Sequence, residues 1–158
     1  KLPSLDSRSI TANFTESVRA AGFVLNEGGT AILASDMGHS HQLTYSQNAA
    51  CPGAHNATEV LHVVVGTAGT LKSFSAGMIT PSTGNSTISV DLKKNGTTML
   101  TAVITLDNAN TAYIAEDAAL SVTALAAGDV LTLVIVATVG TGALPTGLFA
   151  QVILREDA

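Results

Sequence analysis

The chain has 158 residues, 46% of them hydrophobic and only 12% charged, with a formal net charge of −5. A chain of that size can bury about 70% of its unfolded surface, so one domain with one core is the default. Its seven scattered Lys and Arg form no basic patch to neutralise phosphates, which excludes nucleic acid as a partner.

Residues 1–29 mix Ser, Asp, Asn, Arg and Glu without a sustained period. Thr15–Gly22 fits a short helical turn, with Thr15 as N-cap and Gly22 as the stop. The segment reads either as a disordered tail or as an extended arm that orders on a neighbouring subunit. Ile10, Phe14, Phe23, Val24 and Leu25 would be wasted in a tail and favour the arm. A chain beginning at Lys1 rather than Met is expected to be a processed product or a fragment.

A first strand is expected over Gly29–Ala34. Gly, His, Asn and Pro then crowd a long excursion, Ser35–Thr58, that holds one short strand, His41–Ser46. Thr58–Val65 reads as a central strand, with Val60, His62 and Val64 on one face and Leu61, Val63 and Val65 on the other. In Gly69–Ile79 the apolar residues Leu71, Phe74 and Met78 break strict alternation and predict a bulge. Ile88, Val90 and Leu92 alternate with Ser89, Asp91 and Lys93, and Asn95-Gly96 then supplies the pair that best tolerates positive φ at both centres of a type I′ turn. Leu100, Ala102, Ile104 and Leu106 share one face of the return strand. After an Asn- and Asp-rich connection, Asp107–Asp117, a strand is expected over Ala119–Ala124. Ala126–Asp129 makes a tight turn into a strand over Val130–Thr138, and Gly140–Gly147 is a loop. On the last strand Leu148, Ala150, Val152 and Leu154 face inward and Phe149, Gln151, Ile153 and Arg155 outward.

About eight strands with turn signals every 8–12 residues and no long helix predict an all-β fold. The expected architecture is a two-sheet antiparallel jelly-roll sandwich over residues 30–158, carrying an extended N-terminal arm over residues 1–29. Val130–Leu154 has no charge, yet it is rich in Val and Thr and interrupted by the glycine loop, so no membrane span is expected. Val130–Thr138 is apolar on both sides, and Phe149 and Ile153 would be a costly exposed patch in a monomer. Leu131, Leu133, Ile135, Phe149 and Ile153 are therefore expected to meet another subunit.

Three stretches carry a family resemblance: Gly69–Ala76 (GTLKSFSA), Ser89–Thr97 (SVDLKKNGT) and Val122–Leu133 (VTALAAGDVLTL). Together they resemble a jelly-roll module common in virion proteins of tailed bacteriophages. The layout is similar to the tumour-necrosis-factor-like jelly roll, where a Gly-Asp turn also opens the penultimate long strand. The resemblance covers residues 69–156. It implies a homotrimer about a threefold axis, acting as a capsid decoration (cement) protein on the outer capsid surface. The major capsid protein would be its partner, contacted by the arm residues above. The alternative it leaves is a receptor- or glycan-binding tip module of a head or tail fibre.

No catalytic residues and no cofactor are expected. The single cysteine, Cys51, excludes a disulfide within these residues and reads as a small buried hydrophobe or an inert loop thiol. It could be drawn into a triad with His55 and Asp36, but no nucleophile elbow or papain-like context surrounds it. Asp107, Asn110 and Asp117 lack the spacing of a calcium loop. Asn13, Asn56, Asn85 and Asn95 head N-glycosylation triplets, which a chain this rich in Thr and Ser produces by chance. His39-Ser-His41, if extended, puts two imidazoles on one side of a strand at a spacing that can share a metal. The competing reading is a polar loop with two solvated histidines.

Overall fold

The computed structural model describes residues 39–47 and 56–157. The chain divides into two units, Lys1–Met37 and Gly38–Ala158, and the described residues belong to the second. The expected arm, with Ile10, Phe14, Phe23, Val24 and Leu25, and the expected strand over residues 29–34 lie outside the described residues.

Ten strands follow: β1 (His39–Ser46), β2 (Ala57–Val63), β3 (Ala68–Gly77), β4 (Thr87–Lys94), β5 (Thr97–Thr98), β6 (Ile104–Leu106), β7 (Ala115–Asp117), β8 (Ala124–Ala126), β9 (Val130–Thr138) and β10 (Phe149–Asp157). No described residue is helical. The first sheet runs β1-β10-β3, with β7 and β8 both on the free edge of β3, and the second runs β2-β9-β4, with β5 and β6 both on β4. Every pairing is antiparallel. Since β5 with β6, and β7 with β8, are each one interrupted strand, the ten segments occupy eight positions. Position one pairs with eight, two with seven, three with six and four with five. This is a single long antiparallel hairpin wrapped into two sheets, which is the jelly roll.

The hairpin at the far end of that wrap forms as its residues dictate. Asn95 and Gly96 both take positive φ, 49° and 84°, as the type I′ turn requires. The return strand, however, leaves β4 after Thr98 and rejoins three residues out of register, with Val90 opposite Ile104. In between, Met99 O accepts from Ser121 N at 2.8 Å and Thr101 N donates to Ala119 O at 2.8 Å. This excursion from the second sheet thus hydrogen-bonds to the segment between β7 and β8, the two strands that pair with β3 in the first sheet. The strand expected over residues 119–124 is therefore mostly the bridging segment between β7 and β8, overlapping a strand only at Ala124, and Ala102, on the excursion, is exposed rather than inward.

The core lies between the sheets. Its largest members include Leu71, Phe74, Met78, Ile88, Leu92, Leu106, Leu131, Leu133, Ile135 and Leu154, all essentially without solvent contact. The bulge expected in the third strand is present: Leu154 pairs with Leu71 and Ile153 with Ser73, leaving Lys72 unpaired, so that Leu71 and Phe74 both face inward. β10 alternates as expected, with Ala150, Val152 and Leu154 buried.

Two expectations are corrected. β2 is an edge strand, not a central one, because it pairs only with β9 among the described residues. A bulge at Leu61 shifts its register, so Val60 turns outward at 63% exposure while His62 turns inward. Second, Leu131, Leu133 and Ile135 cannot meet another subunit, because they fill the domain's own core. The outward residues of β9 are Val130, Thr132, Val134 and Val136. Phe149 and Ile153 do point outward and are half-buried.

Candidate functional site

Alternation along β10 does not stop at Leu154. The next inward position is Glu156, a carboxylate with no solvent exposure. A charge in that place needs compensation, because desolvating a carboxylate is costly unless it is paired and hydrogen-bonded. Its partners come from three directions.

The first is the loop after β2. Gly66 N donates to Glu156 Oε2 at 2.9 Å and Val65 N donates to the same oxygen at 3.3 Å. Glycine is required for that approach, since a Cβ at residue 66 would run into the Asp157 carbonyl. The second is β2 itself, where the Leu61 bulge aims His62 between the sheets and its Nε2 donates to Glu156 Oε1. The third is β1. His39 lies directly across from Glu156 and His41 across from Leu154, so both imidazoles share the inward face of the edge strand. Their rings meet edge-on at 4.6 Å, and the His41 ring sits 4.9 Å from that of His62. His41 Nε2 is 3.8 Å from Glu156 Oε1. It is buried and makes no hydrogen bond.

Three imidazoles and one carboxylate thus close one end of the sandwich, drawn from both sheets. Burial pushes the Glu156 carboxyl up. The hydrogen bond from His62, the Gly66 N–H, the attraction of His62 and the Val65 N–H together outweigh it and hold the group below the usual carboxylate range. Chemically, one ring nitrogen from each of His39 and His41 and one Glu156 oxygen lie within 4.8 Å of one another, nitrogen and oxygen donors of the kind that bind a divalent transition metal.

The His39–His41 pair was readable as an extended His-x-His motif, and its imidazoles do share one side of a strand. His62 and Glu156 were missed. Glu156 had a signal: extending the inward series Leu148, Ala150, Val152, Leu154 by one step puts a carboxylate in the core. His62 had none, because its inward turn depends on the bulge at Leu61. Asp36, Cys51 and His55 lie outside the described residues.

The other candidate groups have local duties. Asp107 Oδ1 accepts from Ala109 N at 2.7 Å and Asn110 Oδ1 accepts from Asp107 N at 2.6 Å, so this loop spends its oxygens on its own backbone. Asn56 Oδ1 accepts from Ala137 N at 2.7 Å, Asn85 Oδ1 from Thr141 Oγ1 at 3.0 Å, and Asn95 Oδ1 from Val130 N at 2.9 Å. These three asparagines latch loops to strands.

No protein-family model matches the chain, and no curated protein matches it. Among solved structures, that of infectious bursal disease virus Gx strain aligns with 78% of this chain and 34% of its own, at 12% identity and a TM-score of 0.38. That of the Gt strain aligns with 87% of this chain and 40% of its own, at 12% identity and a TM-score of 0.33. The chain therefore spans well under half the length of either. The jelly-roll assignment rests on the strand order and not on these likenesses.

Proposed function

We propose that the chain is a structural virion protein: a homotrimeric decoration protein that sits on the outer surface of a phage capsid and bridges major capsid subunits. The observation that carries this reading is a jelly-roll domain with uncovered apolar side chains on its outward sheet faces. Val60 and Val136, at 63% and 44% exposure, flank the half-buried Val134 on the second sheet. The register sets Val134 beside Thr58 and Thr132 beside Val60, so valines and threonines make one continuous outer face. Phe149 and Ile153 stand on the outer face of the first sheet. A subunit held between its own copies and a shell needs two such faces. In this reading the valine face meets the next copy and Phe149 and Ile153 meet a second surface, while the mechanism is area rather than chemistry. Ile10, Phe14, Phe23, Val24 and Leu25 of the arm would order on the capsid and enlarge each footprint.

A second reading, a receptor- or glycan-binding tip of a head or tail fibre, draws on Tyr113. It is 71% exposed and held at φ 63° in the loop between β6 and β7, where its ring could stack on a sugar. Sedimentation of the chain, alone and with empty capsids stripped of accessory proteins, separates the readings. The decoration role requires a trimer that co-sediments with shells and loses them when residues 1–29 are removed. A trimer that ignores shells supports the fibre tip, and a monomer overturns both.

A further inference from the structure

We propose that His39, His41 and Glu156 bind a divalent transition-metal ion of the zinc class, with His62 as the residue that positions the carboxylate. One ligand atom from each of the three lies within 4.8 Å of the others. Two donors on a tetrahedral zinc at about 2.0–2.1 Å are separated by about 3.4 Å. The 3.8 Å between His41 Nε2 and Glu156 Oε1 is therefore close to a coordination edge already. Four features argue for a metal rather than a polar cluster that satisfies itself.

His41 Nε2 is buried and without a hydrogen-bond partner, although a donor or acceptor in such a place is costly to leave unmade. A metal satisfies it. The two Glu156 oxygens are unequally used: Oε2 takes both backbone N–H groups, while Oε1 takes only His62 and faces His41. Oε1 therefore retains a lone pair for an ion. A carboxylate oriented by backbone donors and a histidine is the arrangement that raises affinity from behind the ligands. Finally, the cluster joins strands that, among the described residues, each pair with a single neighbour: β1 lies at the edge of the first sheet and β2 at the edge of the second. An ion here clasps the edge strand β1 to β10 and, through His62, braces one sheet against the other. His39 is exposed at the rim, which leaves the fourth coordination position open to water.

The test uses the full chain, produced without a polyhistidine tag and stripped with a chelator. Titration with zinc by calorimetry is expected to give one ion per chain and a higher midpoint of thermal unfolding, and cobalt is expected to give the visible bands of a tetrahedral N/O site. His39→Ala and His41→Ala should each weaken zinc binding by at least about 100-fold, since even residues behind the ligands are worth 10–100-fold. His39→Ala alters an exposed ring, so it remains informative should His41→Ala fold poorly. His62→Ala should weaken binding by about 10-fold or more, whereas His62→Gln, which can still donate to Glu156, should restore most of it. Glu116→Gln, a remote exposed carboxylate, should change nothing. Sub-stoichiometric uptake by the wild type, or unchanged affinity in His39→Ala and His41→Ala, would overturn the proposal. Full binding in His62→Ala would remove the positioning role.

Discussion

Asp129 shows how one side chain can reinforce a turn that the backbone already closes, its own N–H donating to Ala126 O at 3.0 Å. Its Oδ2 accepts from Ala126 N at 2.8 Å, its Oδ1 accepts from Asn95 Nδ2 at 2.7 Å, and Lys94 Nζ lies 3.5 Å away. The carboxyl is held below its ordinary value chiefly by the Ala126 N–H, against burial and with help from Asn95 and Lys94. A depressed folded-state value means the stabilisation is complete above the unfolded value, about 3.9, and is lost as pH falls through the lower folded one. Asp129→Asn should therefore cost about 1 kcal/mol at neutral pH, and its deficit against the wild type should shrink below about pH 4. Urea unfolding of both proteins at pH 7 and pH 3 checks this, and a deficit that does not narrow would refute the linkage. Asp129 was legible as the end of a tight Ala126–Asp129 turn. Its bond to Asn95, 34 residues away, was not, because nothing local announces which distant turn will pack beside it.

Among the elements, the hairpin and the site loop use glycine for different reasons. Gly96 needs its positive φ of 84° and has nothing within 4 Å of where a Cβ would stand. Gly96→Ala should thus cost only the left-handed backbone penalty, about 1–2 kcal/mol. Gly66 has no positive φ but no room, and its N–H serves Glu156. Gly66→Ala should cost a similar amount in stability, about 1–3 kcal/mol through the disturbed carboxylate. It should also weaken zinc binding, which Gly96→Ala should leave alone. Equilibrium unfolding and calorimetry on the two variants distinguish these origins. The Asn95-Gly96 turn and the alternation of β4 and β10 were plain in the sequence because period-two patterning and turn chemistry are local. The broken return strand and the edge position of β2 were not, since each depends on which segment lies across the sheet.

For the assembled subunit, β9 separates stability from association. Leu133 faces the core, so Leu133→Ala should cost about 2–5 kcal/mol. Val136 faces outward at 44% exposure, so Val136→Asp should leave the unfolding midpoint within a few degrees while dissociating the proposed trimer. Analytical ultracentrifugation with thermal unfolding reads both. If Val136→Asp stays trimeric, the valine face is not the contact between copies.

The residues alone determined that the described domain is all-β, where most of its turns fall and which side chains of β4 and β10 point inward, since alternation and turn chemistry act over a few neighbours. They also showed that β9 is apolar on both sides, but not which side the core would take. That choice, the inward rotation of His62 and the meeting of His39, His41 and Glu156 came from folding. A one-residue bulge reverses the facing of everything beyond it, and the cluster joins residues up to 117 positions apart through the pairing of the first described strand with the last.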